Sequence, residues 1–563
     1  MTRTGAPTPR ATLSRRRFLG VVAGATAGLT APLVTGCARE TSGELLRSGG
    51  AELPRRFTVP LPVPRTARPV SAGGPGGSEL YEVVQRPAGV EILPGVRTTV
   101  WGYDGTFPGP TFRVRSGRAA TVRVTNELPV PTSTHLHGGV TPPDSDGYPT
   151  DLVVPAGGFR PGAAPAPTGD GNRGGPHGAA SGGGHGGGST PMASHVPPGA
   201  WTLHERTRDY AYPLDRQRAA TLWYHDHRMD FTGPQVWRGL AGFFLVDDAT
   251  DDASGLPAGP RDVPLMLCDR SFDAEGQFRY PAVDASLTGV PGVADAYMEG
   301  VLGDVLLVNG APWPEMEVDA ARYRFRFLNA SNARRYRLRL DPPPPDGSAP
   351  FTQVGSDAGL LAGPRTHREV PMSPAERFDL VIDFGRYPVG TLITVRNTLG
   401  ETEATRDVMR FRVVRSARDD SVLRPVLAEL DLPRRSEAVR TRVFDFRRTE
   451  DMGGDGAMWT INGKPFDVGG DLADPALGTV ELWRFSSDFH HPVHVHLAHF
   501  AVVGRGAGAP LAADGGWKDT VDVRPYEVVE VLARFDGYRG RYMMHCHNLE
   551  HEDMAMMGNF RVV

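Results

Sequence analysis

Eight of the 17 histidines in this 563-residue chain fall in four His-X-His pairs: His135/His137, His225/His227, His494/His496 and His545/His547. On an extended strand, residues i and i+2 share one face, so each pair can turn two imidazoles toward one point. A single pair carries little information, because surface histidine pairs arise by chance. Four pairs in one chain, two early and two late, shift the odds decisively toward metal binding.

The last pair brackets a cysteine, His545-Cys546-His547, and strand alternation sends that thiol to the face opposite both imidazoles. One strand then touches two sites. Nearby stand His491, opening the run His491-Pro492-Val493-His494-Val495-His496, and His551 and Met556 downstream of Cys546. Two histidines, a thiolate and a weak thioether make the ligand set of a blue-copper electron-transfer centre, in which the thiolate selects copper over hard ions. One structural zinc uses four ligands and leaves the remaining paired histidines unexplained.

The rest of the chain reads as all-β. Short apolar runs punctuated by Gly, Pro and Asp, at Arg97 to Trp101, Ala119 to Val124, Gly242 to Val246, Tyr323 to Leu328, Leu380 to Phe384 and Val528 to Phe535, predict sandwiches or barrels. Long helical periodicities are scarce, which disfavours α/β folds. Between Gly157 and Gly188, 14 of 32 residues are Gly and four are Pro, too little apolar surface to offset ordering entropy. This predicts a disordered insertion over about 157–200, carrying His177, His185 and nearby His195. Without it and the leader, about 490 residues remain, enough for three domains of ordinary size.

The leader is an address. Ser14-Arg15-Arg16-Arg17-Phe18-Leu19 precedes an Ala/Gly-rich apolar run to about Val34, a bacterial twin-arginine export signal, and Val34-Thr35-Gly36-Cys37 resembles a lipobox with Cys37 as the acylated first mature residue. Expected boundaries are a signal at 1–36, a Pro/Gly-rich tether at 37–80, domains at 81–247, 260–415 and 438–563, and a linker at 416–437. A net charge of -4, from 61 basic and 65 acidic residues, gives no basic excess for nucleic acid. Three cysteines cannot build a disulfide framework for an exported chain of this size.

The histidine segments resemble the four copper-binding motifs of three-domain multicopper oxidases. The match is closest to the spore-coat laccase, bilirubin oxidase and phenoxazinone synthase branch. It rests on His135-Leu136-His137-Gly138, Thr141-Pro142-Pro143-Asp144-Ser145-Asp146-Gly147, Trp223-Tyr224-His225-Asp226-His227 and His545-Cys546-His547-Asn548-Leu549-Glu550-His551-Glu552-Asp553. Supporting segments include Leu307-Val308-Asn309-Gly310 and Pro374-Ala375-Glu376-Arg377-Phe378-Asp379, and the likeness runs from about residue 80 to the end. It implies three cupredoxin-like Greek-key domains and four copper ions. Type 1 falls to His491, Cys546 and His551 with axial Met556; type 2 to His135 and His494; the type 3 pair to His137, His225, His227, His496, His545 and His547. The cluster then lies between the first and third domains, with the middle one as spacer and buttress. Asp146 and Glu552 match the carboxylates that feed protons to dioxygen, although Asp146 in Asp-Ser-Asp-Gly also reads as a turn residue.

The implied activity is oxidation of phenols or aminophenols with dioxygen as acceptor, by an enzyme anchored outside the cytoplasmic membrane through Cys37. The alternatives are a Cu(I) oxidase serving copper tolerance and a copper-free scaffold, the latter opposed by the complete ligand set. The remaining histidines, His204, His367, His490 and His499, read as core or surface residues, and Cys268 as a small buried hydrophobe in a strand.

Overall fold

The computed structural model describes residues 42–73, 77–158, 196–450 and 457–563. The leader, Cys37, most of the Gly-rich insertion and His177, His185 and His195 lie outside them. Among the described residues no helix is long and apolar enough to cross a membrane.

The stretch expected as a tether differs from that reading. β1 (Glu44–Leu46) pairs in parallel with Val301–Gly303, and Leu46 is buried against Trp237, Val293 and Val301. Farther on, single bridges join Pro60 to Glu315 and Thr66 to Thr111. Proline and glycine content alone read as flexible, but Leu46 supplies an apolar anchor and the extended backbone finds an edge to pair with.

Three pairs of facing sheets follow. In the first, β2 (Thr134–His137), β3 (Ala220–Asp226) and β4 (Ala241–Asp247) lie side by side with Phe112–Arg115 at the outer edge, opposite a sheet of four strands. Tyr103, Val124, Leu136, Leu222 and Phe244 fill the space between. The middle pair runs from β5 (Asp262–Phe272), through β7 (Arg322–Asn329) and β8 (Arg377–Asp383), to a strand ending at Ser416; β6 (Val301–Gly303), between β5 and β7 in the chain, pairs with β1 instead. Its core includes Phe325, Phe327, Leu380 and Phe411, with Cys268 buried on β5. Strands resume at Ala438, and the third pair includes a sheet of β9 (His491–Val495), β10 (Thr520–Val523), β11 (Gly540–Cys546) and β12 (Met557–Val562). Trp459, Trp483, Phe485 and Phe560 pack behind it.

Two short helices bring the outer sandwiches into contact: α1 (Thr232–Arg238) after β3, and α2 (Leu549–Asp553) between β11 and β12. The Asp553 carboxylate accepts the backbone N–H groups of Thr232 (2.7 Å) and Gly233 (2.8 Å), which pins α2 of the third sandwich against α1 of the first.

Candidate metal centre

Register places the histidines. In the first sandwich β2 and β3 are antiparallel with His135 opposite His225, and in the third β9 and β11 set His494 opposite His545 and Val493 opposite Cys546. Each two-strand ladder therefore offers a block of imidazoles, and the two blocks face each other. His135 Nε2 lies 3.4 Å from His494 Nε2, His227 Nε2 lies 3.3 Å from His545 Nε2, and His496 Nε2 lies 3.1 Å from the same His545 nitrogen. His137, His225 and His547 complete the group, with ring centroids between 5.1 and 5.7 Å apart. All eight are buried.

Cys546 points the other way, as strand alternation requires. Its Sγ is 3.4 Å from His491 Nδ1 and 3.6 Å from His551 Nδ1, the two ring nitrogens being 3.1 Å apart. Met556 is fully buried, donates its N–H to the His551 carbonyl and accepts the N–H of Cys546 on its own, which holds the residue against the group. Trp459 stacks on His551 at 3.7 Å, and Asn548 Nδ2 lies 3.2 Å from His551 Nε2. The thiol site is thus closed on that side by an aromatic ring and an amide.

The carboxylates sit behind the rings. Asp146 Oδ2 lies 2.7 Å from His496 Nδ1, and the Asp146 carbonyl meets His135 Nδ1. Glu552 spans two rings, Oε2 at 3.0 Å from His545 Nδ1 and Oε1 at 3.4 Å from His227 Nδ1. The Asp146 contacts hold the proton on Nδ1 of His496 and His135 and leave Nε2 free as a ligand atom, while Glu552 places a negative charge behind His545 and His227. Burial pushes the Asp146 carboxyl up to about 8. Burial alone would also raise Glu552, but the His545 and His227 rings beside it favour the carboxylate and hold the group at about 2.

The donor atoms fit soft, ring-ligated metal. Among buried groups left without any hydrogen-bond partner are His137 Nδ1, His225 Nε2 and both ring nitrogens of His547. Each unpaired buried polar atom costs about 1–3 kcal/mol, a cost that a metal ion at the centre removes. Burial drives His225 down to about 3 and His227 to about 4, so the rings are neutral and their lone pairs available. Burial also pushes the Cys546 thiol well above its ordinary value, so its thiolate needs a cation beside it.

The sequence pattern of residues 86–162 and of 439–563 matches models of the multicopper oxidases. A laccase from Bacillus stratosphericus is 33% identical over 89% of this chain and 98% of its own length. The chain belongs to the multicopper oxidase family. A bilirubin oxidase from Albifimbria verrucaria is 34% identical over 90% of this chain and 81% of its own. The solved laccase of Pediococcus acidilactici superposes with a TM-score of 0.72 at 28% identity, over 92% of this chain and 96% of that one. This multicopper oxidase is accordingly a laccase-like copper oxidoreductase that uses dioxygen, built from three cupredoxin-like sandwiches.

The described histidines outside the two groups have protein partners. His499 accepts from Arg218 Nη2 at 2.9 Å and donates to the Gly138 carbonyl at 2.9 Å; His367 meets Gln353 Oε1 at 2.9 Å; His204 meets Asp151 Oδ1 at 2.8 Å. His490 is turned to Arg335 and Asp522. Pattern reading missed Asp519, Thr520, Arg377 and Trp459, all of which touch a ring of the two histidine groups or the residue that orients it. Only Arg377 carried a signal, as part of Pro374-Ala375-Glu376-Arg377-Phe378-Asp379, and that signal named no role.

Proposed function

We propose that the chain oxidises phenols or aminophenols one electron at a time and couples four such steps to reduction of dioxygen to water. Four copper ions are assigned: type 1 to His491, Cys546 and His551 with axial Met556, type 2 to His135 and His494, and the type 3 pair to His137, His225, His227, His496, His545 and His547. Bound copper supplies single-electron acceptance at the thiolate site and dioxygen reduction at the three-ion cluster. The observation that carries this reading is the sharing of β11: Cys546 faces one group while His545 and His547, its covalent neighbours, face the other.

The protein's own residues divide the remaining work. Asp146 and Glu552 stand beside the rings where protons are needed, and burial raises the Asp146 carboxyl toward neutral pH, as suits a group that passes protons. Burial of all eight rings keeps bulk water from the cluster. Trp459 and Asn548 cover His551, which is itself fully buried.

The chain is further proposed to leave the cytoplasm by the twin-arginine route and to remain on the membrane through an acylated Cys37. Mass spectrometry of the mature N-terminus tests this: a diacylglyceryl group on Cys37 is expected, and an unmodified terminus elsewhere refutes it.

Oxygen uptake by copper-loaded protein tests the activity, with a dimethoxyphenol, an o-aminophenol and Cu(I) in a weak chelator as competing donors. A higher specificity constant for the organic donors is expected. Preference for Cu(I) would make metal oxidation the primary reaction, and no uptake at full copper loading would overturn the enzyme reading altogether.

A further inference from the structure

Asp519 stands where the three sandwiches meet. Its Oδ1 is 3.1 Å from His137 Nε2 on the first sandwich, and its backbone carbonyl is 2.9 Å from His494 Nδ1 on the third. Thr520 Oγ1 adds a second contact to His137 Nε2 at 3.1 Å. A carboxylate and a carbonyl are acceptors, so both ring nitrogens carry hydrogen and donate. The opposite nitrogens are then fixed as lone-pair donors. They are His137 Nδ1, buried with no partner, and His494 Nε2, aimed at His135 Nε2. One residue thereby selects the metal-facing atom of two rings assigned to different coppers, and selects Nδ1 in one and Nε2 in the other.

Asp519 is itself held from the middle sandwich. Arg377, at the start of β8 and fully buried, grips its carboxylate with both Nη atoms, Nη1 lying 2.7 Å from Oδ1 and Nη2 closing on Oδ2. The other guanidinium hydrogens go to the carbonyls of Thr221 (2.9 Å), Ala375 (3.0 Å) and Asp357 (3.0 Å). All five donors of the fork are used, which leaves it one orientation. Thr221 lies on β3, the strand that carries His225.

We propose that Arg377 is a positioning residue for the histidine cluster, acting through Asp519 to fix which nitrogen of His137 and of His494 faces the metals. The middle sandwich then sets cluster geometry as well as spacing the outer two. The proposal rests on the assignment of His137 and His494 as copper ligands. A lysine cannot reproduce it, because an ammonium offers three hydrogens from one point where the site uses five from a planar fork. Loss of a residue that orients a metal ligand lowers metal affinity by about 10–100-fold.

The test uses full-length holoprotein of Arg377→Lys and Asp519→Asn, reloaded with Cu(II) and read by copper content, electron paramagnetic resonance and the blue thiolate absorption. Arg334→Lys serves as the control, a buried arginine paired with Asp269 that touches no cluster ring. The expected result is selective: weakened cluster-copper uptake in both test variants, with an altered type 2 signal in Arg377→Lys, where the whole Asp519 residue loses its anchor, the blue absorption per chain retained, and an unaltered type 2 signal in the control. Full copper content with an unchanged type 2 signal would overturn the proposal. So would parallel loss of blue absorption and cluster copper, which marks a purely structural role. If Arg377→Lys does not fold, Asp519→Asn, nearly identical in volume, decides alone through its cluster-copper content, full content overturning the proposal. A His494→Gln variant separates the two layers: if it keeps a normal type 2 signal, the ligand assignment fails and not the role of Arg377.

Discussion

Replacing Glu552 by Gln isolates the carboxylate behind the cluster. The side chain is buried, and its two oxygens lie 3.0 Å from His545 Nδ1 and 3.4 Å from His227 Nδ1. A glutamine is nearly isosteric but presents one acceptor and one donor, so one ring keeps its partner while the other meets an N–H group with its own. The carboxylate acts as a charged neighbour behind two ligand rings, at ion-pair distance from both. Loss of such a partner to a metal-ligand ring lowers metal affinity or activity by about 10–100-fold. Loss of a proton-carrying group works in the same direction by about 10²–10⁴-fold. Oxygen uptake at saturating donor should therefore fall by at least about 10-fold, whereas the blue absorption of Cys546 should persist, because the Glu552 carboxylate faces the cluster rings. Stopped-flow mixing of fully reduced enzyme with dioxygen measures the step directly. Turnover within a factor of two of the parent, with copper content intact, would refute the reasoning; Glu552→Asp, which keeps the charge at shorter reach, should fall between the two.

Met556→Leu should raise the potential of the thiolate site and leave its copper in place, at a folding cost below about 1.5 kcal/mol for so similar a volume; redox titration of the blue band checks it, and loss of type 1 copper would contradict the axial assignment. Trp459→Ala removes the ring stacked on His551 and should cost about 3–5 kcal/mol in stability while shifting the blue band as water reaches His551, both readable in one thermal melt followed at two wavelengths. His499, held down to about 4 by burial and then by Arg218, is neutral in the folded protein while the unfolded chain titrates near 6.5. The unfolded state then binds the extra proton, so stability falls as pH drops from 6.5 toward 4, by up to about 3 kcal/mol, and His499→Gln should flatten that part of the denaturation profile. Stripping copper with a chelator should lower the melting temperature and readdition should restore it, since an ion that binds only the folded form stabilises it.

How much of this was legible beforehand differs between strand and cluster. All six runs singled out as strands are strands, Arg97–Tyr103 and Val528–Arg534 among them, because period-two apolar patterning is a local property. The histidine pairs and Cys546 were equally plain, since strand alternation converts i, i+2 spacing into a shared face with no knowledge of the fold. Locality also explains the misreading of the segment after Cys37: composition registered proline and glycine, while the pairing of β1 with β6 depends on an edge some 250 residues away.

The sequence by itself determined the chemistry, which residue types would bind metal and how many strands would carry them. The facing of β2 and β3 against β9 and β11, the placing of Trp459 over His551 and the grip of Arg377 on Asp519 were decided only by tertiary structure. Arg377 and Asp519 are 142 positions apart and neither belongs to a spaced pair. A buried ion pair of that kind is selected by the geometry of three packed sandwiches, because a desolvated charge is tolerated only where a partner already waits for it.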